Sequence, residues 1–180
     1  MSSDSKEVSF MPKFGIVVHD NPNDSLALME KTLDSILAAT KKYTKSKIGV
    51  LMSFNAGDRQ ISETLHLTNF YTEQGVWCRG CNQGSEMSIE QKETELFQQL
   101  TFATYFINLK AGQEVSPTIF SDIEHSISTL KEKIICFNNN EVYALLVSAV
   151  RLYYLEQGSY EATERHIIEQ SKTKGYYKEL

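Results

Sequence analysis

Apolar residues along this chain recur in two alternating periods. Phe14-Gly15-Ile16-Val17-Val18-His19 is a β-branched run closed by the turn cluster Asp20-Asn21-Pro22-Asn23-Asp24, and it predicts a short buried strand. Leu26, Met29, Leu33, Ile36, Leu37 and Thr40 then recur at helical spacing, with Lys41, Lys42 and Lys45 where cations favour a helix C-terminus. Ile48 to Phe54 predicts a second strand, ended by the turn Asn55-Ala56-Gly57-Asp58. Strand, helix and strand make a βαβ unit, whose right-handed crossover leaves the two strands parallel.

The middle of the chain is less regular. Ile61 to Tyr71 has mixed periodicity, Gly75 to Cys78 suggests a short strand, and Asn82-Gln83-Gly84-Ser85 reads as a loop before a polar helix from Ile89 to Leu100. Ala103 to Leu109 is the next strand. Ser116 caps the following helix with Pro117 at its first position, and Phe120, Ile123, Ile127 and Leu130 form the buried stripe. Lys133 to Phe137 and Val142 to Ser148 resemble strands around Asn138-Asn139-Asn140, although the second run equally suits a helix through Tyr154. A last helix from about Ser159 ends at Gly175. The pattern predicts an α/β domain over residues 13–180, a three-layer sandwich around a mostly parallel sheet, behind a polar tail at 1–12. Strands 14–19, 48–54 and 103–109 should lie side by side with Asp20, Asn55 and Lys110 on one edge.

Composition narrows the functional classes. The 180 residues are 41% hydrophobic and 11% aromatic, enough apolar material for one sizeable core. A formal net charge of −5 argues against a nucleic-acid groove or an anionic membrane surface as the main partner. No run of 18 apolar residues occurs, and Met1 to Phe10 is polar, so the expectation is no membrane insertion and a cytoplasmic protein, or one assembled into a particle there. Three cysteines cannot all pair within one chain, and Cys78-Arg79-Gly80-Cys81 reads as ordinary reduced thiols. His66, His125 and His166 are scattered, so no metal site and no cofactor is expected.

The order of these segments resembles the family-2-like glycosyltransferases, which have a nucleotide-diphosphosugar-transferase (GT-A-like) fold. The resemblance rests on Ile16 to Asn21 with Leu33 to Leu37, on Gly49 to Asp58, on Asn82-Gln83-Gly84, on Tyr105 to Pro117, and more faintly on Gly158 to Gly175. It implies a nucleotide-sugar site built from His19, Asp20, Asn21, Asn55, Asp58, Asn82 and Lys110, with Glu161 and Glu164 as candidates for the base that deprotonates an acceptor. It departs from the family where Lys110-Ala111-Gly112 stands in place of the metal-binding Asp-x-Asp, with Glu114 the one carboxylate close by.

That substitution sets two expectations. One is a degenerate, non-catalytic domain acting as a binding or structural subunit of a larger assembly such as a viral particle, through a protein partner or as a homo-oligomer. Its surface would carry tyrosines from the Tyr153-Tyr154 and Tyr176-Tyr177 pairs. The alternative is a minimal metal-independent glycosyltransferase, in which the Lys110 ammonium pairs with phosphate.

Overall fold

A computed structural model describes residues 13–44, 48–55, 59–84, 86–100, 102–129 and 134–180. Leu130, Lys133, Lys45 and Asp58, all named above, lie outside these, as does the tail. The described residues form a seven-stranded sheet in the order β3-β2-β1-β4-β6-β5-β7. The strands are β1 (Phe14–His19), β2 (Ile48–Asn55), β3 (Trp77–Gln83), β4 (Tyr105–Lys110), β5 (Cys136–Asn139), β6 (Val142–Leu146) and β7 (Tyr177–Glu179). The helices are α1 (Leu26–Lys42), α2 (Ile61–Glu73), α3 (Ile89–Gln99), α4 (Ile119–Thr129), α5 (Val147–Gln157) and α6 (Tyr160–Lys174).

β1 runs parallel to both β2 and β4, with His19 opposite Ser53 on one side and Lys110 on the other. The three strands therefore end together, as the sequence predicts. The sheet turns antiparallel at β6, which pairs with β4 and β5. Adjacent parallel strands β1 and β4 have crossovers leading in opposite directions, to β2 and to β5, so the sheet opens a crevice outside their carboxyl ends.

Alternation along β1 assigns the two faces. Phe14 packs against Tyr43 and Phe120, on the side of α1 and α4. Gly15 lies under α3's end: a Cβ there would sit 3.1 Å from Ala103 Cβ and 3.2 Å from Leu100 Cβ, so a side chain there would require that turn to give by a few tenths of an ångström. α2 joins the first face through the Tyr71 hydroxyl, which donates to Asp34 Oδ1 at 2.7 Å. Phe106 of β4 meets Phe97 of α3 and Tyr160 of α6 on the second face. Three layers result, with Phe14, Ile16, Val18, Val50, Met52 and Ile107 fully buried between them.

Several boundaries differ from expectation for local reasons. β3 extends through Gln83, where Asn82-Gln83 had suggested a loop, because β2 holds its register as far as Asn55 opposite Gln83. α4 begins at Ile119, with Asp122 N–H bonded to Thr118 O at 2.9 Å, and Pro117 lies in the preceding turn. The run from Val142 is both a strand and a helix, β6 passing directly into α5 at Val147. Asn140 and Glu141, at φ 51° and 66°, turn β5 into β6. Ser159 caps α6 and Gly175 closes it at φ 75°, as the sequence indicates. β7, three residues long and parallel to β5, has no signal in the pattern.

The tyrosine pairs are half-buried and largely used within the fold. Tyr153 stacks edge-on against His166 at 4.7 Å, and the Tyr154 hydroxyl meets Thr94 Oγ1 at 2.9 Å. The Tyr177 hydroxyl accepts from Asn138 Nδ2 at 2.9 Å, with Lys172 Nζ 4.9 Å from its ring centroid.

Candidate functional site

A cleft of about 530 Å³ opens at the carboxyl ends of β1, β2 and β4, between the sheet and the helices α3 and α6. Its sheet wall consists of His19, Asp20, Ser53, Asn108 and Lys110, and its helix wall of Lys92, Glu93, Tyr160, Glu161 and Glu164. His19, Ser53 and Lys110 fall in one row across three strands, and Asn108 lies two residues before Lys110 on the same face of β4. The sequence candidates His19, Asp20, Lys110, Glu161 and Glu164, distributed over 146 positions, are thus brought together around one space.

His19 and Asn108 form the floor. His19 Nε2 is 2.7 Å from Asn108 Oδ1, an atom that can only accept, so the ring carries its proton on Nε2. Burial lowers the His19 pKa, with the hydrogen bond to Asn108 opposing and the nearby Lys110 charge reinforcing the shift, which favours the neutral ring. With its oxygen engaged, Asn108 has its amide N–H groups left for the cleft. Lys110 is exposed, and its backbone N–H is held by Gln113 Oε1 at 2.8 Å.

Asp20 sits at the rim with its carboxylate committed. Arg59 Nε donates to Asp20 Oδ2 at 2.9 Å and an Arg59 terminal nitrogen to Oδ1 at 3.2 Å, while the same guanidinium reaches the carbonyls of Asn21 and Asp24. Arg59 thereby fastens the loop between β1 and α1. Asn21 turns away from the cleft, its Nδ2 donating to Asp24 Oδ2 at 2.8 Å.

The two acidic candidates on α6 differ. Glu161 points outward, with 83% of its side chain exposed and Arg165 3.4 Å away one turn on. Glu164 faces inward. Burial raises its pKa to about 7, the negative charges of Glu161 and Glu93 push the same way, and the nearby Tyr160 hydroxyl and the Lys110 charge oppose. Glu93 is raised by its own burial too, although one carboxylate oxygen accepts the Tyr160 backbone N–H at 2.8 Å.

Asn82 does not join the cleft wall. Along β3 the residues 77, 79, 81 and 83 face α3, and Asn82, one step out of phase, is exposed on the α2 face. Its neighbour Gln83 points inward instead: it is 5% exposed, accepts from Ser53 Oγ at 3.1 Å and donates to Lys92 O at 3.0 Å, tying β2 and β3 to the helix that carries Lys92 and Glu93. Asn55 ends β2. Asn108 and Gln83 are among the residues that sequence reading missed, with Ser53, Lys92, Glu93 and Tyr160 of the cleft wall; strand period, which places Asn108 on the Lys110 face, is the signal that finds the first.

A divalent cation fits this strand end poorly. Asn108 offers one neutral oxygen, already accepting from His19, and Lys110 adds a positive charge. Glu114 is on the far side, 3.3 Å from Lys31 of α1. Among the described residues no group of three His, Cys, Asp or Glu side chains is arranged as a metal site, and no helix is long and apolar enough to cross a membrane.

Strand order, the antiparallel β6 and a cleft at the ends of β1, β2 and β4 define an α/β fold of the glycosyltransferase, GT-A-like type. The chain is similar in structure to the mannosyltransferase PcManGT of Pyrobaculum calidifontis, solved with GDP-Man and Mn2+, at a TM-score of 0.60 and 11% identity, over 89% of this chain and 53% of that one. It is also similar to S. aureus TarS 1–349, at a TM-score of 0.53 and 10% identity, over 77% of this chain and 48% of that one. The chain thus spans about half the length of each. At these identities the likeness is one of fold. No family model and no curated protein matches the sequence.

Proposed function

We propose that the cleft binds a nucleotide diphosphosugar and passes its sugar to an acceptor hydroxyl without a divalent cation. The observation that supports this reading is the placement of Lys110 and Glu164 on the sheet wall and the helix wall of one cleft at parallel strand ends. Asn108 and Lys110 present amide and ammonium donors on one strand face, a set suited to phosphate oxygens. Glu164 takes the proton of the acceptor hydroxyl as that oxygen bonds to the anomeric carbon. The bond from this carbon to the diphosphate breaks as the new bond forms, its electron pair leaving with the diphosphate, and the charge that develops there is met by Lys110 and Asn108. A carboxyl titrating near 7 is partly ionised at neutral pH and more basic than an ordinary glutamate, which suits the role. Glu161 supplies negative charge at the rim. Asp20 and His19 act by position, one holding the rim loop through Arg59 and the other orienting Asn108. Asn55, the last residue of β2, is proposed as a contact for the nucleoside.

A second reading keeps the binding and drops the chemistry: a glycosyltransferase-like module that recognises a sugar nucleotide within an assembly. The commitment of Asp20 to Arg59 favours it, since that carboxylate is then not available to a ligand. A thermal-shift panel of nucleotide sugars, with and without Mn2+, paired with an assay for released nucleoside diphosphate, separates the two. Stabilisation independent of Mn2+ together with release that Glu164→Gln abolishes supports transfer. Stabilisation without release supports the binding module, and a panel with no shift rejects both.

A further inference from the structure

We infer that the acceptor taken by this cleft carries a cationic amine, seated against Glu93 and the Tyr160 hydroxyl where α3 meets α6. The word acceptor rests on the transferase reading; the cation rests on the wall itself.

Three observations converge there. Tyr160 is 3% exposed, yet its hydroxyl closes no hydrogen bond, although it lies beside the Glu164 carboxyl. The same residue lines both the main cleft and a small cavity of about 10 Å³ at its floor, shared with His19, Glu93 and Asn108. A buried hydroxyl without a partner is costly, and a ligand atom that pairs with it removes the cost. Second, Glu93 uses one oxygen to accept the Tyr160 backbone N–H, and its other oxygen has no partner among the described residues. Third, the charges acting on Glu93 are those of Glu161 and Glu90, both negative, whereas the Lys110 charge acts on Glu164.

The ligand chemistry follows from these facts. The N-terminus of α6 is already capped, Ser159 accepting from the Ala162 and Thr163 N–H groups and Glu93 from that of Tyr160, so its first turn has little left to offer an anion. A neutral hydroxyl offers one donor and leaves the mutual repulsion of the carboxylates in place. A primary ammonium offers three donors, enough for the open Glu93 oxygen and Tyr160 Oη, and its charge relieves that repulsion. The sheet wall then turns ammonium and amide donors toward phosphate, while on the helix wall the carboxylates of Glu93, Glu161 and Glu164 outnumber the single ammonium of Lys92.

The test uses the whole chain and two probes, methyl glucosaminide, protonated at pH 6.5, and methyl glucoside, followed by calorimetric titration. The glucosaminide is expected to bind about tenfold more tightly, the scale of one charge-assisted hydrogen bond over a neutral one. Glu93→Gln should remove most of that preference and Tyr160→Phe should reduce it. Equal affinity for the two sugars in the unaltered protein overturns the inference, a result that does not depend on either variant folding; so does a preference unchanged in both variants. Nucleotide-sugar binding without amine preference sinks this inference alone, while amine preference without nucleotide-sugar binding keeps the cation site and sinks the transferase reading.

Discussion

Arg59 grips Asp20 through both carboxylate oxygens, and the Asp20 side chain is only 3% exposed within that pair. Its guanidinium also holds the carbonyls of Asn21 and Asp24, so one side chain fixes the whole turn between β1 and α1. Removing it strands a buried carboxylate and several backbone acceptors. Arg59→Ala should therefore destabilise the protein by about 3 kcal/mol in urea denaturation. Arg59→Lys should recover only part of that, because an ammonium cannot form the two-pronged contact. A loss below about 0.5 kcal/mol, the range of an ordinary surface substitution, would show that the loop is held by something else.

Lys110 and Asn108 act on the same face of β4, and their substitutions should separate charge from hydrogen bonding. Lys110→Ala should weaken binding of a nucleotide diphosphosugar about tenfold, and added salt should narrow the gap between variant and parent. Asn108→Asp keeps the shape and adds a negative charge where the phosphates are proposed to lie. It should weaken the same ligand at least as much, and it should not create tight Mn2+ binding, because Lys110 remains beside it. Unchanged affinity in both variants would place the nucleotide elsewhere.

The three thiols should behave unequally. Cys78 and Cys81 are three residues apart on β3, which points them to opposite faces of the strand, so their spacing makes neither a redox pair nor half a zinc site. Cys78 and Cys136 are buried, and burial pushes both thiols up to about 12. Cys81 is half-exposed, and its upward shift is opposed by Arg79 and Gln99. A chromogenic disulfide should titrate about one thiol per native chain, and that reaction should vanish in Cys81→Ser while all three react in denaturant.

Much of the fold is legible in the sequence because it is written locally. The β1 run, the α1 stripe and the Ser159 and Gly175 caps each depend on residues within a few positions, and each stands where the pattern puts it. β7 and the full length of β3 depend on neighbours far along the chain, β5 and β2, and local composition carries no trace of them. The site divides in the same way. Glu161 and Glu164 sit on one amphipathic helix, and only packing against α3 and the sheet decides which is buried. Asn82 and Gln83 are adjacent, and a one-residue phase in β3 decides which faces inward. Arg59 has no motif that announces it; its role exists only because the end of β2 comes beside that of β1.

Glu164 offers the sharpest pH signature. Its carboxyl, pushed up mainly by burial to about 7 in the folded protein, has an ordinary value of 4.5 when unfolded. The folded state thus holds this proton more tightly than the unfolded state, so the proton favours folding at acid pH. That contribution is lost progressively as pH rises from about 4.5 to about 7 and is absent above. Glu164→Gln, neutral at every pH, should remove this dependence: the melting temperature of the parent should fall relative to the variant between pH 5 and 8. Near pH 8 the variant should be the more stable by about 1–2 kcal/mol. Transfer activity, if Glu164 is the base, should run the opposite way and rise through the same interval as the carboxylate appears. A parent and variant whose melting temperatures stay parallel across that range would mean that Glu164 titrates as an ordinary surface glutamate, and the helix wall of the cleft would lose its base.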